Sequence, residues 1–184
     1  MRNTLRERRA PPEWAASGQA IEIADKISSF ERLAEIVGKD LETLDSEKRP
    51  ANWRDAPVTG RLVFGFADAQ ERVPVLEGSV VATVDAVCQR CLGPFRLPLA
   101  VEVKLLFTAG PDDRASADGY EVWELDEDRL RPLDLVDEVL VMAMPLVALH
   151  VDDAACRGPK PDDRAESSTT RPFASLRSQM GKEN

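Results

Sequence analysis

The stretch VVATVDAVCQRCLGPFRLPLAVEVKLLF, residues 80–107, decides the fold because apolar and polar residues alternate on both sides of a short turn. From Phe95 to Phe107 every odd position is apolar, while the even positions from 96 to 104 hold Arg, Pro, Ala, Glu and Lys. A period of two buries one face of a strand and leaves the other in water. The stretch therefore predicts an antiparallel hairpin with the C-x-x-C motif of Cys88 and Cys91 in its turn. Pro98 has no N–H for a ladder bond, so it predicts a sheet edge or a bulge at that point.

The sequence on either side of the hairpin predicts further strands. Residues 58–67 carry Leu62, Phe64 and Phe66 on one face, and residues 120–125 predict another short strand. Together with the helical segments described next, these patterns predict an α+β fold. We expect an antiparallel sheet, arranged as a meander or a partly closed barrel, with a few packed helices and disordered termini.

Two segments have helical signals. Ser28 and Glu31 form a capping-box pattern, which predicts a short helix ending at Gly38. Pro132 opens a second helix with a wide apolar face, and Pro145 ends it.

The polar and apolar residues of the second helix carry separate expectations. Its acids Asp137 and Glu138 lie near the helix N-terminus, where the macrodipole favours them, and we expect them on a solvated face. Val141 and Met142 make the last turn apolar nearly all round, so we expect that end of the helix to be buried.

Composition divides the chain into three parts. Residues 1–20 show no periodicity and predict a flexible basic leader, since the first ten residues carry four arginines and one glutamate. Residues 21–156 are expected to form the α+β domain. Residues 157–184 are rich in Pro, Asp, Ser and Thr and predict a disordered tail.

The three cysteines and the single histidine of the chain form two close pairs, Cys88 with Cys91 and His150 with Cys156. Zinc is bound by four thiolate or imidazole ligands in a tetrahedron, often supplied as two short-range pairs from separate segments. A C-x-x-C turn can direct both sulfurs at one point. The spacing therefore predicts a structural zinc site in which the second pair joins a distant segment to the hairpin turn.

Other interpretations of the four residues stay open at this point. Reduced cysteines pack well as small apolar side chains, and His150 follows an apolar run and fits a helix end. A redox C-x-x-C is disfavoured because Leu92-Gly93-Pro94 and a strand follow Cys91, so no helix N-terminus is present to lower a thiol pKa. A structural disulfide is disfavoured in a reducing cytosol and with an odd number of cysteines.

The charge of the chain limits the partners that it can bind. The net charge is −9, and the acidic excess lies in residues 11–156. Such a body repels a phosphate backbone, so contact with RNA would need the tails, a local patch such as Arg90 in the turn, or a protein intermediary. No apolar run approaches the length of a membrane span, and no signal peptide precedes the domain, so we expect a cytoplasmic protein.

Motifs of the common enzyme classes are missing from the sequence. It contains no G-x-G-x-x-G, P-loop or H-E-x-x-H. With one histidine, a thiol nucleophile paired from Cys91 and His150 is the one catalytic arrangement to consider. We expect no enzyme activity and no small-molecule substrate.

Three motifs together resemble one family. They are the knuckle VCQRCLGPF at residues 87–95, the helical segment DLVDEVLVMAMPLV at residues 134–147, and the trailing His150 and Cys156. The chain is similar in these to the YceD family, whose members are called large ribosomal RNA subunit accumulation proteins. The segment RPFASL at residues 171–176 resembles the short tail of that family. Two departures are a methionine where the family has leucine before the proline, and a long segment before the tail.

The resemblance implies a non-enzymatic role in ribosome biogenesis, in the synthesis, processing or stability of 23S ribosomal RNA. The partners it implies are large-subunit RNA or its precursor particles, reached directly or through a ribosomal protein. It also implies metal and nucleic-acid binding, in agreement with the four-ligand hypothesis. The alternative is an acidic adaptor that docks a ribosomal protein without touching RNA.

Overall fold

The computed structural model describes residues 4–68, 73–108, 119–125, 127–150 and 156. Within these ranges the chain forms five β-strands, three α-helices and four short 3-10 helices. The strands are β1 (Ala20–Lys26), β2 (Pro57–Phe66), β3 (Pro74–Val87), β4 (Pro94–Thr108) and β5 (Glu121–Glu124). The α-helices are α1 (Pro11–Ser17), α2 (Glu31–Glu42) and α3 (Pro132–Met142). The 3-10 helices are Thr4–Arg6, Ile27–Ser29, Ser46–Lys48 and Trp53–Asp55.

The five strands form one sheet in the order β1-β2-β3-β4-β5. The first four strands make an antiparallel meander, and β5 adds to β4 in parallel, so the predicted α+β class is confirmed. The described strands leave β1 and β5 as edges, so the sheet is open rather than a barrel. No described helix is long and apolar enough to cross a membrane.

The predicted hairpin and the position of its turn are confirmed. Strands β3 and β4 pair from Val75 opposite Leu106 to Val87 opposite Pro94, so the C-x-x-C motif lies between the two strand ends. Pro98 pairs with Thr83 on one side, while β5 pairs with β4 only from Leu105 onward. Among the described residues β4 is therefore a free edge at Pro98, as the missing N–H requires.

The core lies on one face of this sheet, beneath the three α-helices. Trp14 of α1 is fully buried and stacks on Phe64 of β2, with ring centroids 5.5 Å apart. Phe64 in turn stacks on Phe107 of β4 at 6.0 Å. Large aromatic rings bury much apolar area each, so this column joins the first helix to the centre of the sheet.

The N-terminal segment corrects one expectation. Residues 1–20 were expected to be a flexible leader, but the described part of that range holds α1, with Leu5 and Trp14 buried in the common core. Strand β1 begins at Ala20 and was also not predicted. The folded unit therefore begins at or before residue 4. The expected tail, residues 157–184, lies outside the described residues.

Strands β2 and β3 approach each other closely at two glycines. A Cβ added to Gly78 would lie 2.1 Å from the carbonyl oxygen of Arg61, and one added to Gly60 would lie 2.4 Å from that of Ser79. A side chain at either position would therefore collide with the backbone of the neighbouring strand. Glycine inside a strand commonly marks such an approach.

A carboxylate from α3 caps α2. Asp137 is only 7% exposed, and its two oxygens accept hydrogen bonds of 2.9 Å from the backbone N–H groups of Arg32 and Leu33. These N–H groups belong to the first turn of α2 and have no partner within the helix. The negative charge also faces the positive end of the helix dipole. This contact fixes α2 against α3.

The Asp137 cap corrects two expectations from the sequence. The N-cap residue of α2 is Phe30, which makes no side-chain cap, so the capping box of Ser28 and Glu31 is wrong. The expectation that Asp137 faces solvent is wrong as well, because its carboxylate is buried against the helix end. Its neighbour Glu138 forms an ion pair with Arg32.

The ends of both helices also differ from expectation. Gly38 does not end α2, which continues to Glu42; the ring of Trp53 lies beside this glycine, at ordinary contact distance from where a Cβ would be. The last turn of α3 was expected to be buried, but Met142 is 66% exposed.

Replacing Asp137 with alanine should destabilise the protein by about 2 kcal/mol, because two N–H groups in the first turn of α2 lose their charged acceptor. Asp134→Ala is the matched control on the same helix, since it removes an exposed ion pair with Arg131. The control should cost less than about 1 kcal/mol. Urea denaturation measures both, and equal losses would contradict the capping role.

Gly78→Ala should lower the free energy of unfolding by about 2 kcal/mol, because the new methyl group meets the backbone of β2. Gly65→Ala is the matched control in the same sheet, since nothing lies within 4 Å of a Cβ added there. That substitution should change the free energy of unfolding by less than about 1 kcal/mol. The same denaturation experiment distinguishes the two variants, and a tolerated Gly78→Ala would refute the close approach.

Candidate metal centre

The turn between β3 and β4 is closed by its own backbone. Cys88 donates its N–H to the carbonyl of Gly93 at 2.9 Å, and Leu92 donates its N–H to the carbonyl of Cys88 at 2.8 Å. Leu92 adopts a φ of 56°, the single positive φ of a non-glycine residue in the described chain. These bonds curl the turn so that Cys88 and Cys91 lie on the same side of it.

The segment after α3 lies against this turn. Gln89 donates its backbone N–H to the carbonyl of Ala148 at 2.9 Å, and its side-chain amide reaches the carbonyl of Leu146 at 3.4 Å. The ring of His150 packs on Phe95 at the start of β4, with centroids 4.8 Å apart. His150 is therefore held over the turn by its contact with β4 and by the bonds between Gln89 and the residues that precede the histidine.

A hydrogen bond with helix α2 also fixes the residue that precedes the turn. The carboxylate of Asp40 accepts a hydrogen bond of 2.7 Å from the N–H of Val87, the last residue of β3. Val87 directly precedes Cys88, which is fully buried. Because α2 is itself capped by Asp137, the position of the turn is linked to α3 through two carboxylates.

The four predicted ligand residues converge. The ligand atoms of Cys88, Cys91, His150 and Cys156 all lie within 4.8 Å of one another. The sulfurs of Cys88 and Cys156 are 3.7 Å apart, and the sulfur of Cys91 is 3.7 Å from Nδ1 of His150. Two sulfurs bound to one tetrahedral zinc at about 2.3 Å would be about 3.8 Å apart. The donor set and its spacing therefore fit a tetrahedral metal ion.

The surroundings of Cys88 favour a thiolate. Burial opposes ionisation, but hydrogen bonds from the backbone N–H groups of Cys91 and His150 outweigh it and lower the pKa of Cys88 to about 5. The N–H of Arg90 adds to the same effect. A thiolate, not a thiol, is the form that binds metals.

The surroundings of Cys156 act in the opposite direction. Burial raises the pKa of Cys156 to about 11, and the nearby sulfurs of Cys88 and Cys91 contribute to the increase. At this spacing three thiolates would repel one another, so the ionisation of all three together is unfavourable. A cation at their centre removes that repulsion, and its binding would release the Cys156 proton.

The other interpretations of the cysteines fit the geometry less well. All three cysteines are free thiols in the structure. If the three cysteines and the histidine only filled space in the core, nothing would require all four side chains to meet at one point. Cys88, whose pKa is lowered, is fully buried and is thus poorly placed to attack a substrate.

Arg90 lies exposed in the turn, between the two cysteines of the C-x-x-C motif. Its backbone contributes to the thiolate environment of Cys88, as described above. A contact between its side chain and RNA or a protein partner remains a prediction.

An open α+β sheet that carries a three-thiol, one-imidazole cluster in a hairpin turn defines a small protein with a candidate metal centre. Comparison with known families places it more closely. The chain belongs to the YceD family, whose model, described as "Large ribosomal RNA subunit accumulation protein YceD", matches residues 76–178. That range contains the whole cluster. No solved structure matches the chain.

Replacing Cys91 with serine should remove bound metal and lower the melting temperature by on the order of 10 °C, because a structural ion contributes several kcal/mol of folding free energy. Elemental analysis of protein purified without a histidine tag measures the metal. Ser79→Ala, an exposed change on β3, is the control and should leave both values unchanged. Full metal content with unchanged melting in Cys91→Ser would refute the centre.

Proposed function

We propose that this protein is a non-enzymatic ribosome-biogenesis factor that acts in the cytoplasm and supports the synthesis, processing or stability of 23S ribosomal RNA. The observation that carries this proposal is the family match over residues 76–178, since the family is described by large ribosomal RNA subunit accumulation. The described residues add support through the candidate metal centre, which lies inside the matched range.

Zinc is the ion that we propose for the centre. Three thiolates and one imidazole suit zinc, and four protein ligands leave no open position for a substrate. Such a closed site is structural: Cys88 and Cys91 hold the hairpin turn, while His150 and Cys156 hold the segment after α3. The elemental analysis described above identifies the ion, and one zinc per chain is expected.

Large-subunit RNA or its precursor particles are the proposed target. Three thiolates around a divalent cation leave a net charge of −1. Arg90, exposed in the turn, can offset that charge or contact a phosphate. RNA contact elsewhere on the described surface has less support.

A groove of about 510 Å³ beside α3 contains several arginines, but their charges are balanced. Arg8 pairs with Glu127 at 3.2 Å, and Arg131 pairs with Asp134. These guanidinium groups already have carboxylate partners, so the groove offers little net positive charge to a phosphate backbone. Together with the net charge of −9, this favours the second candidate, an acidic adaptor that docks a basic ribosomal protein.

Deleting the gene should lower the ratio of 23S to 16S ribosomal RNA, measured on total RNA from growing cells. The wild-type chain and Ser79→Ala should restore the ratio. Cys156→Ser should not, because the centre loses one of its four ligands and the metal can no longer hold the segment after α3 to the turn. A normal ratio in the deletion strain, together with absence of the protein from large-subunit precursor particles, would remove the proposed function.

A further inference from the structure

Two exposed apolar segments flank the candidate metal centre. Leu92 follows Cys91 in the turn and is 69% exposed, while Leu146 and Val147, shortly before His150, are 98% and 55% exposed. We call Leu92, Leu146 and Val147 the knuckle patch. An almost fully exposed leucine contributes nothing to the core of this chain.

The knuckle patch is held by the fold. Gln89, three residues before Leu92, donates its side-chain amide to the carbonyl of Leu146 and its backbone N–H to the carbonyl of Ala148. Both bonds join the turn to the segment after α3. The two segments that carry the exposed apolar side chains are therefore hydrogen-bonded to each other. These bonds fix their relative position, as a docking surface requires.

Leu92 is held in a conformation that disfavours leucine. Its φ of 56° lies in the left-handed region, which costs a residue with a Cβ about 1 kcal/mol or more. Asparagine or glycine would avoid most of that cost. Because the leucine side chain is exposed, no packing within the described chain offsets the strain. Strain of this kind clusters at functional sites.

Two other exposed apolar residues have a local explanation. Val63 and Val81 lie on the wet face of the sheet and are 40% and 49% exposed. Branched side chains favour strands even when half exposed, so these valines need no partner. The knuckle patch lies outside the strands and has no such explanation.

The charge of the chain restricts what can cover the patch. Two copies of a chain with net charge −9 repel each other, which disfavours a homodimer. RNA is disfavoured by the same charge, and the patch has no aromatic side chain on which a base could stack. A basic protein segment meets both conditions, because its charge is attracted to the acidic chain and one of its apolar side chains can pack on the exposed leucines.

We propose that the knuckle patch docks a basic protein of the large ribosomal subunit through an apolar anchor. This inference rests on the proposed function, because that function identifies the large ribosomal subunit as the source of the partner protein. It deepens the adaptor hypothesis by assigning the contact to Leu92, Leu146 and Val147.

The first test places a photo-crosslinking amino acid at position 146 in the full chain, with position 63 as the matched exposed control. The probe is the total protein of large ribosomal subunits, extracted and freed of RNA by nuclease. Position 146 should crosslink to one or a few basic proteins, and position 63 should not. Equal crosslinking at both positions would overturn the proposal, as would crosslinks from 146 to a second copy or to residues 157–184.

The second test separates binding from folding. Leu92→Asn should keep the metal content and melting temperature, because asparagine tolerates a positive φ. Its binding to the crosslinked protein should weaken about tenfold, as expected on losing an anchor. Leu146→Asp should weaken binding at least as much, while Val63→Asp should not. Unchanged binding in both patch variants would overturn the docking surface.

Complementation distinguishes failure of the patch from failure of the proposed function. If 23S ribosomal RNA depends on the protein but Leu92→Asn and Leu146→Asp both restore it fully, the docking surface alone is refuted. If deletion leaves 23S ribosomal RNA unchanged, the proposed function fails before the patch is considered.

Discussion

The buried carboxylate of Asp137 is the contact on which the position of the candidate metal centre depends. It fixes the first turn of α2 to α3, and Asp40 on the same helix accepts a hydrogen bond from Val87 at the end of β3. The next residue is Cys88. Two carboxylates thus transmit the position of α3 to the hairpin turn. The segment that follows α3 then carries His150 back to the same point, so one helix locates both halves of the cluster.

This arrangement explains why four sparse ligand residues can converge across a long stretch of chain. The turn curls through its own hydrogen bonds, and Gln89 joins it to the carbonyls of Leu146 and Ala148. Assembly of the cluster therefore does not rest on a metal alone, because the backbone already brings the two segments together. An ion bound at this point would stabilise contacts that the fold has formed, as expected for a structural site.

The hairpin and the cluster could be predicted from the sequence because both depend on local periodicity and on rare residue types. The strict alternation from Phe95 to Phe107 admits one pattern of burial, and the turn between the paired strands follows from it. The cap of α2 could not be found in this way, since Asp137 lies about a hundred residues from its partners. One indication was present: Leu133, Asp137 and Leu140 share a helix face, so an acid on the apolar face requires a buried partner. Helix α1 was missed because its seven residues, with a single tryptophan among them, are too few to show a helical periodicity.

The four-ligand donor set of the candidate centre and the acidic charge of the chain limit how the proposed factor could act on an RNA. A site with four protein ligands has no open position, so a metal there can hold structure but cannot activate a substrate. An acidic surface cannot bind a phosphate backbone over a wide area. The proposed knuckle patch of Leu92, Leu146 and Val147 would supply recognition by a small surface instead. The unfavourable φ of Leu92 is tolerated there because the turn that imposes it is the turn that places the two cysteines. The geometry of the centre and the exposure of the leucine thus have the same structural origin.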